Sequence, residues 1–139
     1  MFQKILVPLD MTFKHGRAID MAADLARQSG GEVVLLHAIE MIHGMPREEE
    51  KDFYDRLETA AQAHLEKHLV LLHERGIACR KELVFGVRVA EVLRLARNLS
   101  ADLIVLTAPR LDPDNLESGW GSMSYKLSYF APCPVLLVK

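Results

Sequence analysis

The pair Gly121-Ser122, just ahead of the helical pattern Met123, Leu127 and Phe130, is the feature of this chain best suited to hold an anion. Backbone N–H groups at a helix start attract phosphate, and glycine lets the backbone approach it closely. The facing half of such a loop is Thr107-Ala108-Pro109-Arg110, which follows an apolar run and contains no glycine. Thr107 is β-branched and disfavours positive φ, while Pro109 fixes φ and lacks an N–H. Arg110 offers phosphate a different, bidentate contact. Beyond it, Asp112, Asp114 and Glu117 repel a triphosphate unless Mg²⁺ lies between them; they read equally as a solvated loop. Turn and N-cap chemistry also accounts for Gly121-Ser122.

Other residues offer less. His64 and His68 have the i, i+4 spacing of a helical metal pair, but no third ligand is evident. Ser122 has no identifiable base, and Gly119-Trp120-Gly121-Ser122-Met123 is not the Gly-x-Ser-x-Gly elbow of a hydrolase. The chain lacks both Gly-x-x-x-x-Gly-Lys-Ser/Thr and Gly-x-Gly-x-x-Gly. Cys79 and Cys133 are placed in strands as inert thiols, without metal-type spacing. His37, at a strand end, reads as a hydrogen-bonded structural histidine, and His15 and His43 as exposed. No catalytic residue and no metal ligand is assigned, so an enzyme is the less favoured reading.

The elements that position these residues follow from the hydropathy pattern. Continuous apolar runs at 5–7, 33–36, 83–85, 103–106 and 135–138 are expected for parallel strands covered on both faces. Ala18, Met21, Ala22, Leu25 and Ala26 mark an amphipathic helix over about 13–29, with Thr12 as its N-cap. Leu57, Ala61, Leu65, Leu69 and Leu72 mark a second over about 48–75, opened by Glu48, Glu49 and Glu50 and ended by Gly76. Val89, Val92, Leu93, Ala96 and Leu99 mark a third. The alternation implies right-handed crossovers and a doubly wound α/β sheet. Ligands of such sheets sit beyond the carboxyl ends of the strands, which here are residues 8–12, 37–41, 85–88 and 107 onward.

The 139 residues make one domain, 1–139, with half of them hydrophobic and a net charge of −2. That balance argues against nucleic acid as a partner. No apolar run reaches the roughly 20 residues that span a bilayer, and the start lacks the features of a signal peptide, so a cytoplasmic location is expected.

Ile5-Leu-Val-Pro-Leu-Asp10, Val33-Val-Leu-Leu-His-Ala-Ile-Glu40, Gly86, Asp102-Leu-Ile-Val-Leu106, Gly121-Ser122 and Ala131-Pro-Cys-Pro-Val-Leu-Leu-Val138 together resemble the universal stress protein family, nearly end to end. The resemblance implies a five-stranded parallel sheet in the order 3-2-1-4-5 with four helices, an adenine nucleotide alpha-hydrolase-like architecture. It also implies a homodimer formed through the last strand, 133–138. An apolar strand at a sheet edge, residues 135–138, has backbone groups that a twofold-related copy can pair. One branch of the family binds ATP between the first and fourth strands. Carried over, Asp10 with Pro8 and Ala38 would hold adenosine, and Thr107, Arg110, Gly121 and Ser122 would lie along the phosphates. Thr107 and Arg110 stand where that branch has glycines, the spacer is about one residue longer, and Met11-Thr12 replaces a Gly-Ser pair.

The function expected is thus a cytoplasmic regulatory or binding protein acting as a homodimer through an unidentified partner protein, with a small ligand in the crevice between strands 1 and 4. The alternatives are an ATP- or AMP-binding protein with a degenerate phosphate loop, with Mg²⁺ if a triphosphate, or a Mg²⁺-dependent nucleotide-hydrolysing enzyme. A purely structural dimerisation module tied to a transporter or kinase is a further alternative.

Overall fold

The computed structural model describes residues 1–119 and 122–139. Its elements run β1 (Lys4–Pro8), α1 (Gly16–Ser29), β2 (Glu32–Ile39), α2 (Lys51–Glu74), β3 (Ala78–Phe85), α3 (Arg88–Asn98), β4 (Leu103–Thr107), a short 3-10 turn (Leu116–Gly119), α4 (Met123–Phe130) and β5 (Val135–Val138). The five strands form one parallel sheet in the order β3-β2-β1-β4-β5, as the family resemblance implied.

The apolar runs are continuous because successive side chains feed two different cores. Ile5, Val7, Val33, Leu35, Leu103 and Val105 point to one face, where Ala18, Ala22 and Ala26 of α1 and Leu65, Leu69 and Leu72 of α2 cover them. Leu6, Val34, Leu36, Ile104 and Leu106 point to the other, against Val92, Leu95 and Ala96 of α3 and Leu127 of α4. All of these are buried.

The turn from α1 into β2 needs two glycines for different reasons. Gly30 caps the helix in the left-handed conformation, at φ 70°. Gly31 passes so close to β1 that a Cβ there would lie 2.5 Å from the Phe2 carbonyl oxygen. Tyr54, fully buried on α2, ties down the 40–50 loop, since its hydroxyl accepts from Ile42 N at 2.9 Å and donates to the Met45 carbonyl.

Several local expectations are corrected. α1 begins at Gly16 rather than near 13, and His15, not Thr12, occupies its N-cap position. Thr12 instead folds back on Asp10. α2 is shorter at both ends than the pattern suggested, Lys51–Glu74. Cys133 precedes β5, although Cys79 does lie in β3. Both thiols are half-buried and free, and burial pushes each up, with help from Glu66 at Cys79 and Asp102 at Cys133. No helix among the described residues is long and apolar enough to cross a membrane.

At the amino end of the sheet, Asp102 fastens β4 to β1. Its carboxylate accepts from Gln3 N at 2.8 Å and Lys4 N at 3.0 Å, while its own N–H donates to the Lys4 carbonyl at 3.0 Å. Asp102→Ala removes two hydrogen bonds to a charged acceptor and should lower unfolding stability by about 1.5–3 kcal/mol in urea titration. An unchanged midpoint would show that the clamp does not hold the strands.

Candidate functional site

β1 keeps register with β2 along its whole length, Lys4 to Pro8 against Glu32 to Leu36. Against β4 it is paired only at Ile5 with Leu103 and Leu6 with Ile104. Beyond Leu6 no further pair joins the two strands, while β4 stays paired with β5 as far as Thr107 and Val138. Strand order reverses at this point, at the carboxyl ends of β1 and β4, which is where open α/β sheets take ligands.

Three side chains link the ends of β1 and β4. Asp10, two residues past β1, closes an Asx turn: its Oδ1 accepts from Thr12 N at 2.8 Å and from the Thr12 hydroxyl. The same oxygen lies 2.9 Å from His15 Nε2, and Lys14 Nζ reaches Oδ2 at 3.3 Å. The other ring nitrogen, His15 Nδ1, is 2.7 Å from Thr107 Oγ1 at the end of β4. Carboxylate, imidazole and hydroxyl therefore stand in series from β1 to β4. A carboxylate only accepts, so Nε2 carries a proton and a neutral His15 takes the Thr107 hydroxyl proton at Nδ1. Burial would by itself raise the Asp10 pKa, but hydrogen bonds from the Thr12 hydroxyl and amide and from His15 outweigh it. They hold the carboxyl well below the usual range.

The expectation that His15 is exposed is thus corrected, for it is only 7 % exposed. The sequence held a signal for this: residue 15 lies three and four positions before the buried Ala18 and Ile19, on the same helical face. His37 takes the structural role expected of it. It is buried, and its Nδ1–H donates to the Leu9 carbonyl at 2.8 Å, fixing the chain as it leaves β1.

The remaining sequence-predicted residues fall into two groups. Pro8 and Ala38 are buried at the ends of β1 and β2. Arg110 is exposed and lies with Thr107 against a cavity of about 530 Å³. Ser122 caps α4, its hydroxyl accepting from Tyr125 N at 3.1 Å, and it lines an adjoining cavity of about 410 Å³ that shares Ala108, Pro109 and Lys139 with the first. Gly121 lies outside the described residues.

The loop after β4 has little backbone to offer a phosphate. Ala108 N already donates to the Val138 carbonyl at 2.7 Å, and Pro109 has no N–H. The series Asp10, His15, Thr107 has the order of an activated nucleophile. However, the amide following Thr107 is committed to β5 and cannot serve an oxyanion. Asp112, Asp114 and Glu117 are exposed, and Asp112 accepts from Asp114 N at 2.9 Å within its own turn.

His64 and His68 face inward with both Nε2 atoms buried and unpartnered. Their rings stack edge to face at 5.0 Å, and Phe13 packs on His64 in the same way at 5.1 Å. Burial, with the charges of His64 and His15, lowers the His68 pKa. Among the described residues no group of three or more His, Cys, Asp or Glu is placed to hold a metal ion.

The model of the universal stress protein family matches residues 1–139. The chain belongs to this family. A universal stress protein of Methanocaldococcus jannaschii is 27 % identical over 143 residues, covering all of this chain and 83 % of that one. Among solved structures, the universal stress protein UspA of Lactobacillus plantarum superposes with a TM-score of 0.83 at 19 % identity, covering 99 % of this chain and 98 % of that one. A universal stress protein of Archaeoglobus fulgidus in complex with dAMP gives 0.74 at 19 % identity, covering 100 % of both chains. These likenesses establish the shared fold.

The depressed Asp10 pKa makes a prediction for acid. A carboxylate held below its ordinary value of 3.8 adds stability that is complete above that pH and is lost as pH falls through the folded-state value. Melting curves below about pH 4 should therefore fall more steeply for the wild type than for Asp10→Asn. Parallel curves would show that Asp10 is not held by Thr12 and His15.

Proposed function

We propose that this universal stress protein is a single-domain cytoplasmic regulatory protein, acting as a homodimer, that takes the adenosine part of an adenine nucleotide into the crevice between β1 and β4. The observation that carries the reading is the end of β1–β4 pairing at Leu6, with Asp10 and Thr107 beyond it. Asp10 Oδ2 has only the exposed Lys14 ammonium nearby, which leaves it able to accept a ribose hydroxyl. Ala38, near the end of the neighbouring strand β2, has a side chain small enough for a flat base to approach. The dAMP complex of the Archaeoglobus fulgidus protein supports the ligand class.

The loop chemistry favours a short phosphate chain over a triphosphate. A triphosphate laid on residues 107–110 would find one amide used and another missing, so Thr107, Arg110 and Ser122 would have to bind it through side chains. AMP is therefore the first candidate, and ATP with Mg²⁺ the second. Titration calorimetry is expected to show AMP binding that Asp10→Asn weakens about tenfold, the loss of one hydrogen bond to a charged acceptor. Absence of binding by adenosine, AMP and ATP at millimolar concentration would contradict the adenosine reading.

Dimerisation is supported by the outer edge of β5. Leu137 is 38 % exposed there, and Tyr125, Tyr129 and Phe130 of the adjoining α4 are exposed with it. An unpaired strand edge beside exposed aromatic side chains is suited to pairing with a second copy. Light scattering at micromolar concentration should give twice the chain mass, and Leu137→Asp should return it to one. A wild-type monomer would contradict this. Signalling from the dimer would pass to a regulatory partner protein.

A further inference from the structure

We propose that His64 and His68 of α2 form a site for an exchangeable divalent cation of the zinc class, held through their two Nε2 atoms. Both atoms are buried and have no hydrogen-bond partner. Buried polar nitrogens are satisfied in nearly all folded proteins, so two left open on one helix call for a group that satisfies both. A cation does this by taking the Nε2 lone pairs of two neutral imidazoles at once, each ring keeping its proton on Nδ1.

The spacing of the rings fits chelation. Four residues apart on α2, the two side chains share one face of the helix. Their ring centroids are 5.0 Å apart, with the planes at 89°. A tetrahedral zinc ion bound at about 2.0–2.1 Å from each Nε2 sets the ring centres about 5 Å apart. Phe13 packs against His64 at 5.1 Å, which limits how far that ring can turn. His15 does not compete for the ion, because Asp10 and Thr107 engage both of its nitrogens.

A cavity of about 390 Å³ between α1 and α2 reaches His68 and provides a way in. Asp20 and Glu74 place two carboxylates on its wall against one guanidinium, that of Arg75, which is paired with Asp20 at 2.8 Å. The local charge therefore favours a cation. No group of three ligating side chains is present among the described residues, so water completes the shell. Two protein ligands make the site open, unlike a structural zinc site closed by four. Imidazole nitrogen selects Zn²⁺, Co²⁺, Ni²⁺ or Cu²⁺ over Mg²⁺ and Ca²⁺, which prefer oxygen.

Zn²⁺ titration of the full chain, free of any histidine tag, tests the site. Calorimetry should show one Zn²⁺ per chain that excess Mg²⁺ does not displace. His68→Gln should weaken binding about tenfold or more, since one imidazole alone does not chelate, whereas His43→Gln, which removes an exposed imidazole, should leave it unchanged. His68 is half-buried, and a melting curve without metal checks that the variant is folded. The wild-type chain gives a second readout that needs no substitution. The ring nitrogen-15 resonances of His64 and His68 should both move as Zn²⁺ is added, while those of His37, hydrogen-bonded to Leu9, stay in place. Absence of Zn²⁺ binding at submillimolar ion, equal binding by folded His68→Gln, or binding that leaves the two resonances unmoved overturns the proposal.

Discussion

The end of β1–β4 pairing at Leu6 is the constraint on which the rest of this molecule depends. The two strands are held at both ends. Asp102 ties the amino ends of the two strands through backbone amides. At the carboxyl ends, the Asp10, His15 and Thr107 series spans the gap that the missing strand pairs leave. A sheet paired along its whole length would present backbone already satisfied by its own ladder. Here the opening lies at the switch in strand order and has polar groups on both sides.

The bridge also decides which chemistry the crevice can take. Asp10 Oδ1 is occupied by Thr12 and His15, so only Oδ2 is left for a ligand. Thr107 is engaged by His15, and Ala108 by Val138. The donors that a backbone phosphate cradle would use are spent on holding β4 to its neighbours.

Much of this was legible in the sequence because the strands are buried on both faces. Continuous runs such as residues 33–36 and 103–106 admit few other interpretations once Gly30-Gly31 and the helical stripes separate them. The ordered motifs at the strand ends then pointed to the family. His15 was not legible as a site residue, because its partner Thr107 is 92 residues away and only the β1–β4 geometry brings them together. Thr12 looks like an N-cap by type, yet an aspartate two residues earlier competes for its amide and wins.

The central claim is that His15 joins β1 to β4 across the crevice. The nitrogen-15 resonances of its ring, followed from acid to alkaline pH, test this directly. A bridge predicts that neutral His15 keeps its proton on Nε2, facing Asp10, and that Thr107→Val shifts the Nδ1 resonance by removing its donor. An Nδ1–H tautomer, or the averaged signal of a free imidazole unaffected by Thr107→Val, would contradict the account.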